Sequence, residues 1–187
     1  MAAMKKFLVI GNMNALQYKE FFPSIKDNKV WFGISKRGMD FITSDGLKMP
    51  INAVWFTSLD NDKRHIKLNL NKSYNSVDYP KYDNYDAIEI SRTCDIPYDY
   101  DGVMGVPITF LDKYNPEQFE IIGIACGNSW ANYPNTLREL GFKSDMKYGG
   151  GLGTVILNGK ALYTRLFIRL RKTNEKAIFK PSEPQTA

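Results

Sequence analysis

Lys-Lys-Phe-Leu-Val-Ile, residues 5–10, is an apolar, β-prone run that ends at Gly11 and predicts a buried strand. Later in the sequence, residues 15–29 place Leu16, Phe21 or Phe22, and Ile25 near helical spacing, which predicts a short amphipathic helix. Residues 30–34 (Val-Trp-Phe-Gly-Ile) and 53–57 (Ala-Val-Trp-Phe-Thr) predict two further strands, with a hairpin-like segment between them. Strand, helix and strand in this order predict a βαβ crossover and a parallel sheet.

The composition is that of one globular domain. The chain has 187 residues, of which 43% are hydrophobic and 24% charged, enough for a core without disulfides or metals. With two cysteines in no CxxC pattern and a single histidine, the chain alone cannot assemble a Cys/His zinc site. No stretch approaches the roughly 18 apolar residues of a membrane helix. We therefore expect a cytoplasmic protein without a membrane segment.

Charge is unevenly spread along the chain. Residues 1–77 carry a net charge of +6, residues 78–120 of −7 and residues 121–187 of +6, for a total of +5. Two basic ends around an acidic middle suit an anionic partner, and they equally suit a dipolar surface without a partner.

The middle of the chain is polar but rich in aromatic residues. Six of the eleven tyrosines lie between positions 74 and 100, which predicts an ordered excursion packed on the core. Residues 106–111 predict a short strand or extended segment, Asn115 and Pro116 predict a helix start, and residues 119–125 predict a further strand.

The clearest local signal is the pair Asn158-Gly159 between two β-prone runs, which predicts a hairpin with a type I′ turn. In its second strand, taken as residues 160–171, alternation puts Leu166 and Ile168 on one face and Arg165, Phe167 and Arg169 on the other. We expect the tail, residues 173–187, to be frayed.

Familiar catalytic motifs are absent from the sequence. No P-loop, GxSxG, HExxH or EF-hand pattern occurs. The glycine run at residues 149–153 lacks the continuation of a phosphate-binding loop and is interpreted as a flexible loop. His65 has no visible acid–base partner and sits among basic residues, so it is expected to face an anion or solvent.

The arginine and aromatic residues of the last strand support two interpretations. Arginines alternating with rings can contact phosphates and stack on bases. Equally, they can be the solvated side chains of an edge strand that discourage aggregation.

Longer strings carry a resemblance to a known family. The sequence resembles the EcoRI-type adenine-specific DNA methyltransferases in strings that cover most of residues 5–171 in matching order: Lys5-Lys-Phe-Leu-Val-Ile-Gly-Asn-Met-Asn-Ala15, Val30-Trp-Phe-Gly33, Trp55-Phe-Thr57, Arg64-His65, Tyr79-Pro-Lys-Tyr-Asp-Asn-Tyr-Asp86, Tyr100-Asp-Gly-Val-Met-Gly-Val-Pro-Ile-Thr-Phe-Leu111, Asn115-Pro-Glu-Gln-Phe-Glu120 and Asn158-Gly-Lys160.

The resemblance implies an α/β fold: a partial Rossmann-like methyltransferase sheet (residues 1–59), then a C-terminal α+β extension for DNA recognition (residues 60–172) that ends in a β-hairpin. It implies S-adenosylmethionine as methyl donor and a flipped adenine in duplex DNA as substrate. The family's Asn/Asp-Pro-Pro-Phe/Tyr tetrapeptide has no counterpart here. We therefore expect no cofactor binding and no catalysis by this chain alone, and a second chain could supply the N-terminal half.

The resemblance also implies site residues. Asn12 and Asn14 would border the cofactor or base pocket. The DNA-contact candidates are Arg64, His65, Lys81, Tyr82, Tyr85, Arg92, Arg165 and Arg169. For the tyrosines, a packed core ring is the alternative. For the whole chain, the alternative is a non-enzymatic binding protein, a partner or inhibitor of a nucleic-acid enzyme built on the same fold.

Overall fold

The computed structural model describes residues 5–34, 39–126, 138–143 and 153–172, which form a mixed α/β structure. The one α-helix of this part of the chain is α1 (Phe22–Lys26), and short 3-10 helices span Met13–Gln17, Asp62–His65, Thr93–Asp95 and Ile108–Lys113. The strands are β1 (Leu8–Asn12), β2 (Trp31–Phe32), β3 (Met39–Ile42), β4 (Lys48–Ile51), β5 (Ala53–Thr57), β6 (Ala87–Glu89), β7 (Val103–Pro107), β8 (Phe119–Ala125), β9 (Ile156–Leu157), β10 (Lys160–Ala161) and β11 (Arg165–Leu170). No helix in the described ranges is long and apolar enough to cross a membrane.

The first sheet has the order β1-β5-β2, and both pairings are antiparallel. The predicted strands are present, but β1 is largely exposed rather than buried, and the predicted parallel sheet is wrong. β1 and β2 run in the same direction, as a crossover requires, yet β5 lies between them. The β3–β4 hairpin reverses the chain after β2, so β5 returns antiparallel.

The helix predicted over residues 15–29 is divided into the 3-10 helix Met13–Gln17 and α1, which starts with a proline at its first turn. Leu16, Phe22 and Ile25 are buried, as the spacing predicted. They cover one face of the first sheet, where the Phe21 ring meets Phe56 edge-on at 4.7 Å between centroids.

The second sheet has the order β6-β7-β11-β8, with β6 and β7 parallel and the other neighbours antiparallel. Its centre is fully buried on both faces: Leu166 and Ile168 join the main core, and Phe167 joins a second cluster with Tyr82, Tyr85 and Phe142. Residues 60–101 are ordered against this core, with Tyr79, Tyr82 and Tyr85 buried.

The predicted turn at Asn158-Gly159 is confirmed, since both residues have positive φ (48° and 73°). The long second strand is wrong: β10 ends at Ala161, and β11 belongs to the other sheet. At Asn115 the chain makes a turn rather than a helix, in which the Asn115 side chain accepts a hydrogen bond from the Glu117 N–H at 2.8 Å. Residues 149–152 of the predicted glycine loop and the predicted frayed tail lie outside the described residues.

Candidate nucleic-acid interface

The Arg64 side chain is largely buried at the border of the first sheet. The 3-10 helix Asp62–His65 brings its guanidinium to 3.4 Å from the centre of the Trp31 ring, and its side chain is only 11% exposed. It donates to Asn28 Oδ1 and, at 3.3 Å, to Asp60 Oδ1. Burial lowers the pKa of Arg64 from its ordinary value, while Asp60 opposes that shift. Through these contacts Arg64 connects β2 to the turn after β5.

His65 has the partner that the sequence did not reveal. Its Nε2 lies 2.9 and 3.0 Å from the two carboxylate oxygens of Asp60. This hydrogen bond lowers the pKa of Asp60 below its ordinary value. Half of the imidazole is exposed, so the pair can meet a ligand at the surface.

Tyr82 and Tyr85 are core residues. Tyr85 stacks on Phe142 with the centroids 3.8 Å apart and the planes 6° from parallel, and Phe167 meets both rings edge-on. The Tyr82 hydroxyl donates to the Glu89 carboxylate, and burial together with this bond raises the pKa of Tyr82. Neither ring has an open face for a base, because both residues are more than nine-tenths buried.

Arg165 points inward as well. Its Nη2 and Nε lie 2.9 and 3.0 Å from the carboxylate oxygens of Glu89, and the two side chains are only 15% and 4% exposed. The basic and aromatic face predicted for the last strand is therefore not a solvated surface at Arg165 or Phe167. Glu89 was not among the predicted site residues. A single carboxylate inside the apolar run Ala87-Ile-Glu-Ile90 nevertheless indicates a buried acid with an ionic partner.

Three of the predicted cations do reach solvent. Arg92 donates to Asp95 at 2.8 Å and is 73% exposed, Lys81 lies 3.3 Å from Asp86, and Arg169 lies 4.0 Å from Glu120. The Asp86 carboxylate raises the pKa of Lys81. The Lys81 and Arg169 pairs are exposed on both sides, so each cation can exchange its carboxylate for a phosphate at small cost. The Arg92 pair is bidentate and its Asp95 side chain is only 24% exposed, so Arg92 is held more firmly.

Arg92 borders the polar cavity, a groove of about 590 Å³ between residues 71–80 and 89–95. Side-chain amides and hydroxyls line it (Asn71, Ser73, Asn75 and Ser91), together with the cations of Lys72 and Arg92 and the carboxylates of Asp78, Glu89 and Asp95. These groups can donate to and accept from base edges or a sugar–phosphate backbone. The structure brings Arg92 to this groove, whereas Arg64 and His65 lie beside the first sheet.

A scan against protein families matches the chain to the model described as adenine-specific methyltransferase EcoRI, over residues 1–50 and 41–171. The chain belongs to the EcoRI adenine-specific methyltransferase family. It is 49% identical to the Type II methyltransferase M.EcoRI of Escherichia coli in an alignment of 138 positions that covers 63% of this chain and 42% of that protein.

Two relatives from mycoplasmas extend the similarity within this family. The Type II methyltransferase M.MgeORF184P of Mycoplasma genitalium is 34% identical over 88% of this chain, and M.MpnI of Mycoplasma pneumoniae is 32% identical over 90% of it. Each match covers 57% of the relative. The chain thus spans about half the length of these curated methyltransferases. No solved structure matches it.

The predicted neighbours of the cofactor are Asn12 and Asn14. Both are exposed and lie at the end of β1. The Asn12 side chain is occupied in capping the following 3-10 helix, since it accepts from the Asn14 N–H at 2.8 Å. Neither residue lines the polar cavity. That these residues border a cofactor or base pocket stays a prediction.

Proposed function

We propose that this chain provides DNA target recognition within an adenine-N6 DNA methyltransferase and has no methyltransferase activity by itself. Its membership of the EcoRI methyltransferase family carries the proposal. S-adenosylmethionine would be the methyl donor of the complete enzyme.

In this proposal the polar cavity contributes to the nucleic-acid contact, with Lys72 and Arg92 as its cations beside the carboxylates of Asp78, Glu89 and Asp95. Its amides and hydroxyls offer donors and acceptors for base edges, and Arg92 stands at its border as a phosphate contact. Lys81 and Arg169 are further phosphate contacts in the proposal, because each is exposed and only weakly held by its carboxylate. His65 can add a contact through the exposed half of its ring.

In this proposal four of the predicted DNA contacts have a structural role instead: Arg64, Arg165, Tyr82 and Tyr85. Their side chains are committed to Trp31, Glu89 and Phe142, and a DNA contact would require breaking those buried interactions. They therefore hold β2, β6 and β11 in the arrangement that presents the exposed cations.

Titration of the purified chain with a duplex at 50 and 200 mM salt tests the recognition role. Phosphate contacts predict a steep loss of affinity with salt, with a logarithmic slope of about −0.9 for each neutralised phosphate. No binding at the lower salt would reject the recognition role. Methyl transfer from S-adenosylmethionine to duplex DNA by the chain alone would reject the claim of inactivity.

A further inference from the structure

One wall of the polar cavity belongs to a segment that is held through its backbone. At its start, the Gln118 side chain accepts from the Leu68 N–H at 2.7 Å and donates to the Leu68 carbonyl at 2.8 Å. The Lys72 carbonyl accepts from a backbone N–H at 2.9 Å. At the end of the segment, the Tyr74 N–H donates to the Asp99 carboxylate at 2.7 Å. These bonds fix the main chain on both sides of residues 71–73.

The side chains of residues 71–73 line the cavity and are not engaged elsewhere. Asn71, Lys72 and Ser73 are exposed, and none of their side chains has a hydrogen bond or ion pair with another residue of the described ranges. A wall with a fixed backbone and uncommitted polar side chains is pre-organised for a ligand, because little backbone freedom is lost on binding.

Asn71 differs from the other carboxamide of the cavity, Asn75. The Asn75 Oδ1 accepts from the N–H groups of Val77 and Asp78 at 3.1 and 2.8 Å, and its Nδ2 donates to the Asp78 carboxylate at 2.7 Å. Asn75 thus stabilises the turn that follows it. Asn71 keeps both a donor and an acceptor for a ligand, and this combination pairs with the N6 amine and N7 of adenine.

The charges of the cavity are balanced. The Asp95 carboxylate accepts from Arg92 at 2.8 and 3.3 Å, and Glu89 is paired with an arginine of the second sheet. The third carboxylate, Asp78, lies in the same cavity as Lys72, which has no ion pair within the described ranges. Three carboxylates are thus matched by three cations, so a phosphate next to Lys72 meets no excess of negative charge.

We propose that Asn71 is a specificity-determining residue, whose carboxamide contacts the N6/N7 edge of an adenine in the target DNA while Lys72 contacts a nearby phosphate. The inference rests on the proposed function, because it assigns a base contact within DNA recognition. Phosphate contacts by Lys72 and Arg92 position the DNA but carry no sequence information. Asn71 supplies that information from the wall opposite Arg92.

Selection from a pool of duplexes with a randomised centre tests the assignment. We expect the unchanged chain to enrich duplexes that have adenine at a defined position. Asn71→Ala should reduce the preference for adenine there by about ten- to hundredfold, since it removes a bidentate base contact. Its binding should keep the same dependence on salt, because a neutral side chain neutralises no phosphate.

Two variants near Asn71 are the controls. Lys72→Ala should reduce the salt slope by about 1 and keep the base preference, as the loss of a phosphate contact requires. Asn69→Ala removes a carboxamide that is also exposed but does not line the cavity, so it should change neither property. All three substitutions are at exposed positions, and a circular dichroism melt verifies that the variants are folded.

An unchanged base preference in Asn71→Ala would overturn the assignment. So would an equal loss of preference in Asn69→Ala, or duplex binding by the unchanged chain without any preference for adenine. In each of these cases salt-dependent binding retains the recognition role and rejects only the base contact. Absence of duplex binding by the unchanged chain at 50 mM salt rejects the recognition role and the base contact together.

Discussion

Arg165 of β11 and Glu89 of β6 form a buried ion pair across β7, with 2.9 Å between Nη2 and Oε1. The two residues are 76 positions apart in sequence. Tyr82 donates to the same carboxylate, so the cation and the phenol together compensate the one charged acid of β6. This cluster fixes β6 and β11 relative to each other within the second sheet.

Arg165→Met should destabilise the chain by about 3–5 kcal/mol, because it leaves the Glu89 carboxylate buried without its cation. The matched control is Arg169→Met on the same strand. The Arg169 pair with Glu120 is half exposed at 4.0 Å, so its loss should cost less than about 1 kcal/mol. Urea denaturation measures both, and equal losses would contradict the assigned role of the pair.

Tyr82→Phe should cost about 1.5–3 kcal/mol, since it removes a hydroxyl that donates to a buried carboxylate. Tyr85→Phe should cost less than about 1 kcal/mol because the stack on Phe142 is retained. Thermal unfolding distinguishes the two variants. A reversed order would show that the Tyr82 hydroxyl is not needed to satisfy Glu89.

The Asp60–His65 pair predicts a pH effect. The pKa of Asp60 is lowered from 3.8 in the folded chain, so its contribution to stability is present above pH 3.8 and is lost as the pH falls through the folded value. A carbon-13 NMR titration of the Asp60 carboxyl should give a pKa below 3.8, returning towards it in His65→Ala. An unchanged pKa in the variant would show that another group lowers it.

Arg92→Ala should weaken duplex binding about equally for different DNA sequences and reduce the salt slope by about 1, as the loss of one phosphate contact requires. Lys29→Ala is the control, because Lys29 is also exposed and ion-paired, with Asp27 at 2.7 Å, but lies outside the polar cavity. Fluorescence anisotropy at several salt concentrations measures the slope. The same slope for Arg92→Ala as for the unchanged chain would remove Arg92 from the interface.

Local structure was largely predictable from the sequence. The strands at residues 53–57 and 119–125 and the Asn158-Gly159 turn depend on short-range patterns, and all three are confirmed. Strand order depends on long-range pairing, which local patterns do not contain. The insertion of β5 between β1 and β2 therefore went unpredicted.

The candidate site was less predictable, because alternation distinguishes the faces of a strand but not whether each face is covered. Phe167 and Arg165 were expected on an open face, whereas Phe142, Tyr85 and Glu89 cover it. His65 and Asp60 are five residues apart, and only the turn between β5 and the Asp62–His65 helix brings their side chains together.

The position of β11 between β7 and β8 has a consequence for synthesis on the ribosome. β7 and β8 emerge first, but both must wait for Arg165–Leu170, some 40 residues beyond the end of β8, before their inner edges pair. During that interval β7 has an unpaired inner edge and β8 has no strand partner in this sheet, a state open to wrong pairing. Completion of the second sheet is thus a late, non-local event, and chaperone demand should be highest in the interval before β11 emerges.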